Sequence, residues 1–266
     1  MSTNDRSTRA FDSAAADFDR LGEYLWEPIA AATVARTAPA PGERVLDACC
    51  GTGASALPTA ERVGPAGLVD AVDLSEGLID VLRRRAAGRP QLHPHVGDAT
   101  AWPHDGYDVV QAVLGIFFFP DMTTGTDHLI GRARPGGRAG FTIWRRGAIE
   151  TAGKHLASSV AAVTGTTPPP PRPPHLVDQL NLPDAFRTWL GERGLTDVTV
   201  TEHELRLALT PEIAWLLVTG SGYAGAVAGL DEAQAAAVRD TYLASLDAAG
   251  IQELDATTLI GVGTRT

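Results

Sequence analysis

A short apolar strand, a loop of small residues and the start of a helix follow one another in residues 45–63. The strand ends at Asp47, and the loop closes with Gly51-Thr52-Gly53. Glycine permits a turn with positive φ and lets a ligand approach the backbone, and a helix N-terminus offers free N–H groups. This arrangement predicts a cofactor loop at the carboxyl end of a strand in an α/β fold.

Apolar strand segments alternate with helical segments from residue 44 to residue 144, which indicates a mostly parallel sheet wrapped by helices. The predicted strands are 44–48, 67–72, 92–96, 107–114 and 138–144, and the predicted helices are 11–37, 54–63, 75–87 and 127–133. Beyond them we expect helices at 148–163 and 184–193, a long strand at 197–209, mostly helix at 211–247 and a last strand at 256–264. Residues 1–10 are expected to be disordered, and the prolines of 168–174 indicate an extended connector.

Charge and cysteine content narrow the class of protein. The 266 residues include 22 basic and 32 acidic side chains, which gives a formal net charge of −10. An acidic surface repels phosphate backbones, so nucleic acid is not an expected partner.

Cys49 and Cys50 are adjacent and have no other cysteine to pair with, which favours the reducing cytoplasm. The apolar stretch 112–119 is too short to span a bilayer, and we find no basic amphipathic anchor and predict no metal site.

The glycine loop alone fits two adenosine cofactors. Residues 51–56 match the dinucleotide fingerprint G-x-G-x-x-A, and Asp73, about twenty residues further on, can accept from both ribose hydroxyls in either class. Asp47 favours S-adenosylmethionine, because a carboxylate before the glycines repels a pyrophosphate and attracts an ammonium or sulfonium group. After the third strand, Asp98 can accept from an adenine amino group, with the N–H of Ala99 beside it.

These motifs together resemble class I S-adenosylmethionine-dependent methyltransferases, in the ubiquinone/menaquinone-biosynthesis-like branch with its natural-product relatives. The family's D-x-G-x-G-x-G lies on Asp47, Cys49, Gly51 and Gly53, with Cys49 in place of the first glycine. Its L-(K/R)-P-G-G turn falls on 133–137. The resemblance implies an α/β fold: a Rossmann-like, seven-stranded, mostly parallel sheet with an antiparallel last strand, helices on both faces and a small helical lid or cap.

The resemblance also assigns a cofactor site and a domain layout. The implied cofactor-binding residues are Asp47, Cys49, Gly51, Thr52, Gly53, Asp73, Leu74, Asp98, Ala99, Val113 and Leu114. Leu74 would pack on the adenine. Residues 1–37 would form an N-terminal helical lid, and residues 38–266 the methyltransferase domain, with cap elements at about 148–195 and 211–250.

The sequence says less about the residues that would surround the methyl group and its acceptor than about those that bind the cofactor. Methyl transfer needs alignment and a dry pocket, and it needs a general base only when the acceptor must lose a proton. His155 and His175 are the candidate catalytic bases, because they follow the fifth strand, where the family shapes its substrate pocket. The other candidates are His128 and His203. The predicted substrate-pocket residues are Phe18, Tyr24, Phe118, Trp144 and Tyr223.

We therefore expect an enzyme that methylates a small, apolar or aromatic organic molecule, such as a secondary or quinone-type metabolite. A homodimer is compatible with this expectation. Two alternatives stay open. A protein of this fold could keep the cofactor as a scaffold for a cyclase or a binding module, an alternative that the apolar segment Phe117–Phe119 keeps open. An NAD(P)-dependent oxidoreductase fits the loop, but its Tyr-x-x-x-Lys pair is missing, since Glu150 stands at that spacing before the single lysine, Lys154.

Overall fold

The structure, a computed structural model, describes residues 3–167 and 174–266. Nearly all of the predicted proline connector at 168–174 lies outside these residues. The strands are β1 Arg44–Ala48, β2 Leu68–Asp73, β3 Leu92–Val96, β4 Tyr107–Val113, β5 Ala133–Trp144, β6 Leu195–His203, β7 Arg206–Ala208, β8 Glu253–Asp255 and β9 Thr258–Arg265. The helices are α1 Thr3–Leu21, α2 Glu27–Thr37, α3 Ala56–Val63, α4 Glu76–Arg85, α5 Met122–Ile130, α6 Glu150–Thr164, α7 Leu176–Leu180, α8 Pro183–Glu192, α9 Pro211–Thr219 and α10 Glu232–Ala248.

Seven strands form the central sheet, in the order β3-β2-β1-β4-β5-β9-β6. The first five strands run parallel, and β9 pairs antiparallel with both β5 and β6. This confirms the predicted fold class, including the antiparallel last strand. The strand order reverses between β1 and β4, and in open α/β sheets ligands bind in the crevice at the carboxyl ends beside such a point.

The structure corrects the bounds of one predicted helix and the continuity of one predicted strand. The helix predicted at 127–133 is α5, which begins at Met122 because the carboxylate of Asp121 caps it by accepting from the backbone N–H of Thr124. The long strand predicted at 197–209 is two strands. The chain leaves the main sheet after His203, and β7 pairs with β8 in a separate two-stranded sheet.

The N-terminal segment is helical from Thr3, so the disorder expected for residues 1–10 is wrong for 3–10. A π-helical turn, Gly22–Trp26, joins α1 to α2. α2 is fixed on the sheet by buried polar contacts: Thr33 Oγ1 lies 2.7 Å from Thr142 Oγ1, and Thr37 donates to Gln111 Oε1 over 2.9 Å.

α1 instead lies across α4 and α9, next to the loop that follows α9. The contact with α9 is close, since a Cβ placed on Gly220 would lie 2.5 Å from the carbonyl oxygen of Asp17. Among the described residues, no helix combines the length and apolar character needed to cross a membrane.

Candidate active site

A cavity of about 560 Å³ opens at the carboxyl ends of β1, β2 and β4, where the strand order reverses. Its volume lies within the range of about 300–1,000 Å³ that is usual for small-molecule sites. One side is formed by the glycine loop and by the ends of β2 and β3. The other side is mainly aromatic and is contributed by α1, the segment after β4 and the loop after α9.

The glycine loop bends sharply because two of its residues have left-handed backbone conformations: Cys49 at φ 56° and Gly51 at φ 53°. A side chain at such a φ is uncommon, which explains why the related motif has glycine where this chain has Cys49. A Cβ on Gly51 would lie 3.0 Å from the Phe18 ring, so only glycine lets the α1 aromatic lie this close to the loop.

Asp47 lies beneath the loop and does not line the cavity. The hydroxyl of Ser55 lies 3.0 Å from Oδ1 and 2.7 Å from Oδ2 of its carboxylate. Burial raises the pKa of Asp47 to about 7, although hydrogen bonds from Ser55 and Gln111 act in the opposite direction. Because Ser55 lines the cavity, Asp47 positions the far end of the loop.

Asp73, at the end of β2, lies on the cavity wall. Its Oδ2 accepts from the backbone N–H of Gly51 and its Oδ1 from that of Ser75, both over 2.9 Å. Burial raises the pKa of Asp73, and these two backbone bonds oppose that effect. The next residue, Leu74, is 41% exposed and offers an apolar surface beside this carboxylate.

Asp98 closes the polar side after β3. Its Oδ1 accepts from both the backbone N–H and the hydroxyl of Thr100, over 2.8 and 2.7 Å. Its Oδ2 accepts no hydrogen bond from the described residues, so this oxygen can accept from a ligand. Ala99 is buried next to it and also lines the cavity.

The aromatic side begins with three residues of the N-terminal segment: Phe11, Phe18 and Trp26. Phe11 and Phe18 lie seven residues apart, hence on one helix face, and this spacing could have identified Phe11, which our sequence analysis missed. Trp26 stacks on Phe18 with centroids 5.1 Å apart. In a regular α-helix, Trp26 would be rotated about 80° around the helix axis from Phe18 and displaced about 12 Å along it. The π-helical turn changes this rotation and rise, which lets the two rings stack.

The rest of the aromatic side is formed by Phe117, Phe118, Trp144 and Tyr223. Phe118 is 44% exposed and contacts Phe11 edge-on, with centroids 5.7 Å apart. The Tyr223 hydroxyl donates to the carbonyl oxygen of Ile149 over 3.0 Å. Burial raises the pKa of Tyr223 to about 12, so this phenol stays protonated near neutral pH.

The cavity brings together most of the predicted site residues. Those that line it are Phe18, Cys49, Gly51, Asp73, Leu74, Asp98, Ala99, Val113, Leu114, Phe118, Trp144 and Tyr223. Predicted residues outside its lining are Asp47, Thr52, Gly53, Tyr24, His155 and His175. Thr52 is buried, and a Cβ on Gly53 would overlap the Leu82 side chain, so both pack within the fold. Tyr24 faces outward and is 41% exposed.

The predicted bases have other partners. Nδ1 of His155 lies 3.0 Å from Ser245 Oγ, between α6 and α10. His175 caps α7, since its Nδ1 accepts from the backbone N–H of Val177 over 3.3 Å. His128 Nε2 lies 3.1 Å from the Trp102 carbonyl oxygen, and His203 Nε2 is buried without a hydrogen-bond partner in the described part of the chain. The structure thus brings no candidate histidine to the cavity wall.

Comparisons with known proteins find relatives for the part of the chain that forms the polar side of the cavity. A family model of a methyltransferase domain matches residues 45–137. Aklanonic acid methyltransferase DauC of Streptomyces sp. (strain C5) is 34% identical over 146 residues, which cover 53% of this chain and 66% of that protein. Demethylmenaquinone methyltransferase of Clavibacter sepedonicus is 34% identical over 137 residues, covering 48% and 54%. The matched part thus spans between about half and two thirds of the length of these relatives.

The fold extends beyond the family match. Magnesium protoporphyrin IX methyltransferase (ChlM) from Synechocystis PCC 6803, solved with bound SAH, superposes with a TM-score of 0.59 at 14% identity. The alignment covers 100% of both chains. At this identity the superposition establishes a shared fold, including the segments outside residues 45–137.

Proposed function

The chain contains a methyltransferase domain, and from that premise we propose that it transfers the methyl group of S-adenosyl-L-methionine to a small, largely apolar organic molecule. One observation carries the proposal: a single cavity joins a polar wall suited to a nucleoside with an aromatic wall suited to an apolar acceptor.

The residues of the polar wall fit this cofactor. Asp73 would accept from the ribose hydroxyls, because its carboxylate is held at the wall by two backbone N–H groups. Exposed Leu74 would pack on the adenine, and Asp98 Oδ2 would accept from the adenine amino group. Gly51, which has no side chain to fill this space, leaves room for the methionine part beside the loop. Asp47 acts indirectly, through Ser55.

When bound, S-adenosylmethionine supplies a methyl group already activated on a sulfonium. The protein therefore has to align the acceptor and exclude water rather than create an electrophile. The aromatic residues of α1 cover the loop, and Phe117, Phe118 and Trp144 continue the same aromatic side of the cavity. We propose that α1, within the N-terminal segment 1–37, acts as the lid, whereas α2 is a fixed part of the sheet packing.

We propose an apolar acceptor because the wall of the cavity that would contact it is formed mainly by aromatic side chains. The relatives are named for aklanonic acid and demethylmenaquinone, which supports a small organic acceptor. The proposal uses no histidine base, since His155 and His175 lie outside the cavity lining. An acceptor whose reacting atom is already nucleophilic, or is deprotonated in solution, fits such a site.

Calorimetry with S-adenosylhomocysteine and NADH, followed by mass spectrometry of a panel of phenolic and quinol acceptors with S-adenosylmethionine, tests the proposal. We expect binding of S-adenosylhomocysteine, no binding of NADH and a gain of one methyl group on at least one acceptor. Binding of NADH alone would overturn it. Binding of S-adenosylmethionine without transfer to any acceptor would favour the scaffold alternative.

A further inference from the structure

Two histidines and one carboxylate converge at the β3 edge of the sheet, outside the cavity lining. His93 and His95 are two residues apart in β3 and so point to the same face, and Asp70 is the register partner of His93 in β2. Asp70 Oδ1 lies 2.9 Å from His95 Nε2 and 3.8 Å from His93 Nδ1. The three atoms lie within 4.8 Å of one another.

The hydrogen bonds of His93 leave one ring nitrogen facing the cluster. Its Nε2 lies 2.9 Å from the Pro90 carbonyl oxygen, which can only accept, so Nε2 carries a proton. In the neutral ring, Nδ1 is then a lone pair that faces the Asp70 carboxylate. A cation between these two acceptors would be bound by both, and it would replace the proton of the hydrogen bond between His95 Nε2 and Asp70 Oδ1, which is released to water. Metal-binding histidines usually donate their other N–H to a carbonyl in this way.

The Asp70 carboxylate is also fixed by a hydrogen bond to its second oxygen, Oδ2. The Tyr107 hydroxyl donates to Asp70 Oδ2 over 2.7 Å, and it accepts from Trp102 Nε1 over 2.9 Å. All three side chains are buried. This chain of donors fixes the orientation of the carboxyl group and keeps Oδ1 directed at the histidines, as outer partners of metal ligands do.

We propose that Asp70, His93 and His95 bind a divalent first-row transition-metal ion, with Zn²⁺ as the best match to two imidazole nitrogens and one carboxylate oxygen. Water completes the four-coordinate shell. The side chains of His93 and His95 are 47% and 37% exposed, so an ion reaches them from solvent. The proposal does not depend on the function proposed above.

The metal would join β3, an edge strand, to β2. Asp73 ends β2, and Asp98 follows β3. Each lies three residues beyond a ligand, about 10 Å along an extended chain. A bound ion would therefore stiffen the two strands whose ends carry the proposed nucleoside contacts.

The test measures Zn²⁺ affinity of the chelator-treated full chain by competition with a chromophoric chelator. We expect one equivalent to bind, and His93→Gln and His95→Gln each to weaken binding at least about tenfold. Tyr107→Phe, which removes the donor behind Asp70 together with the acceptor for Trp102 Nε1, should weaken it about ten- to a hundredfold. His104→Gln is the matched control, because His104 is exposed and packs on Trp102 but lies outside the cluster.

Thermal unfolding of the same proteins supplies a second readout. Zn²⁺ should raise the unfolding midpoint of the wild-type protein and of His104→Gln, and should leave the His93→Gln/His95→Gln double variant unchanged. Equal Zn²⁺ affinity of the wild-type protein and the double variant would overturn the proposal. So would loss of binding in His104→Gln to the same extent. In either case the cluster would be an ordinary histidine–carboxylate pairing.

Discussion

The backbone N–H of Gly51 donates a 2.9 Å hydrogen bond to Oδ2 of Asp73, and thereby joins the loop after β1 to the end of β2. The same carboxylate accepts from Ser75, at the N-terminus of α4. One side chain thus holds the loop and the next helix in register while it faces the cavity.

Asp73→Asn should weaken binding of S-adenosylhomocysteine at least about tenfold, because hydrogen bonds to a charged group contribute about 1.5–3 kcal/mol. Asparagine also turns an N–H₂ group towards one of the two backbone N–H groups. Calorimetry measures the change. Asp80→Asn is the control, since Asp80 is paired with Arg83 on exposed α4 surface and should keep wild-type affinity. An Asp73→Asn variant of wild-type affinity would contradict the assigned role.

Gly220→Ala should displace α1. The new Cβ would lie 2.5 Å from the Asp17 carbonyl oxygen, and a backbone atom cannot rotate away. We expect the free energy of unfolding to fall by about 1–3 kcal/mol and amide exchange in α1 to accelerate. Urea unfolding and hydrogen exchange measure the two effects. Gly225→Ala meets no atom within 4 Å and should change neither. Unchanged exchange in α1 would show that the helix does not rest on this contact.

Stability should depend on pH through Asp47. Burial raises its folded-state pKa from the usual 3.8 to about 7. The folded state therefore favours the protonated form, and the resulting stabilisation is complete below about pH 4 and lost as pH rises through about 7. Within that window the free energy of unfolding should fall by up to about 1.4 kcal/mol per pH unit from this group.

Asp47→Asn should flatten this dependence in urea unfolding measured across the same window. Asp73 stays titratable in the variant, and because burial raises its pKa as well, it leaves a residual slope of the same sign. Identical slopes in the variant and the wild-type protein would mean that Asp47 is ionised in the folded state throughout.

His155→Gln and His175→Gln should keep kcat close to that of the wild-type enzyme with any acceptor it methylates. Loss of a general base lowers the rate about 10²- to 10⁴-fold, so initial rates distinguish the two roles clearly. His175→Gln should lower stability modestly, since His175 caps α7. A rate loss of the size expected for a base, in a variant that unfolds like the wild-type protein, would return that histidine to the mechanism.

The order of strands and loops in the sequence predicted the residues of the polar wall. The contacts that the sequence did not predict depend on packing between elements that are distant in the chain. Asp73 ends a strand and Leu74 follows it, so their place at the carboxyl edge of the sheet follows from the alternation of elements. Asp47 lies buried beneath the loop with a hydrogen bond from Ser55, a pairing that no strand pattern reveals. The Asp70 and His93 pairing depends on the register between β2 and β3, which are separated by a whole helix. The positions of His155 and His175 depend on how α6 and α7 pack.

The number of residues in the π-helical turn Gly22–Trp26 sets the direction in which the side chains of α1 point. α2 cannot rotate, because Thr33 and Thr37 anchor it to the sheet. Deleting one residue from the turn would therefore swing α1 by about 100° and carry Phe11 and Phe18 off the cavity. A chain that gained or lost a residue there would present a different set of side chains to the cavity, so under the proposed function the length of this turn helps to set which molecules the cavity admits.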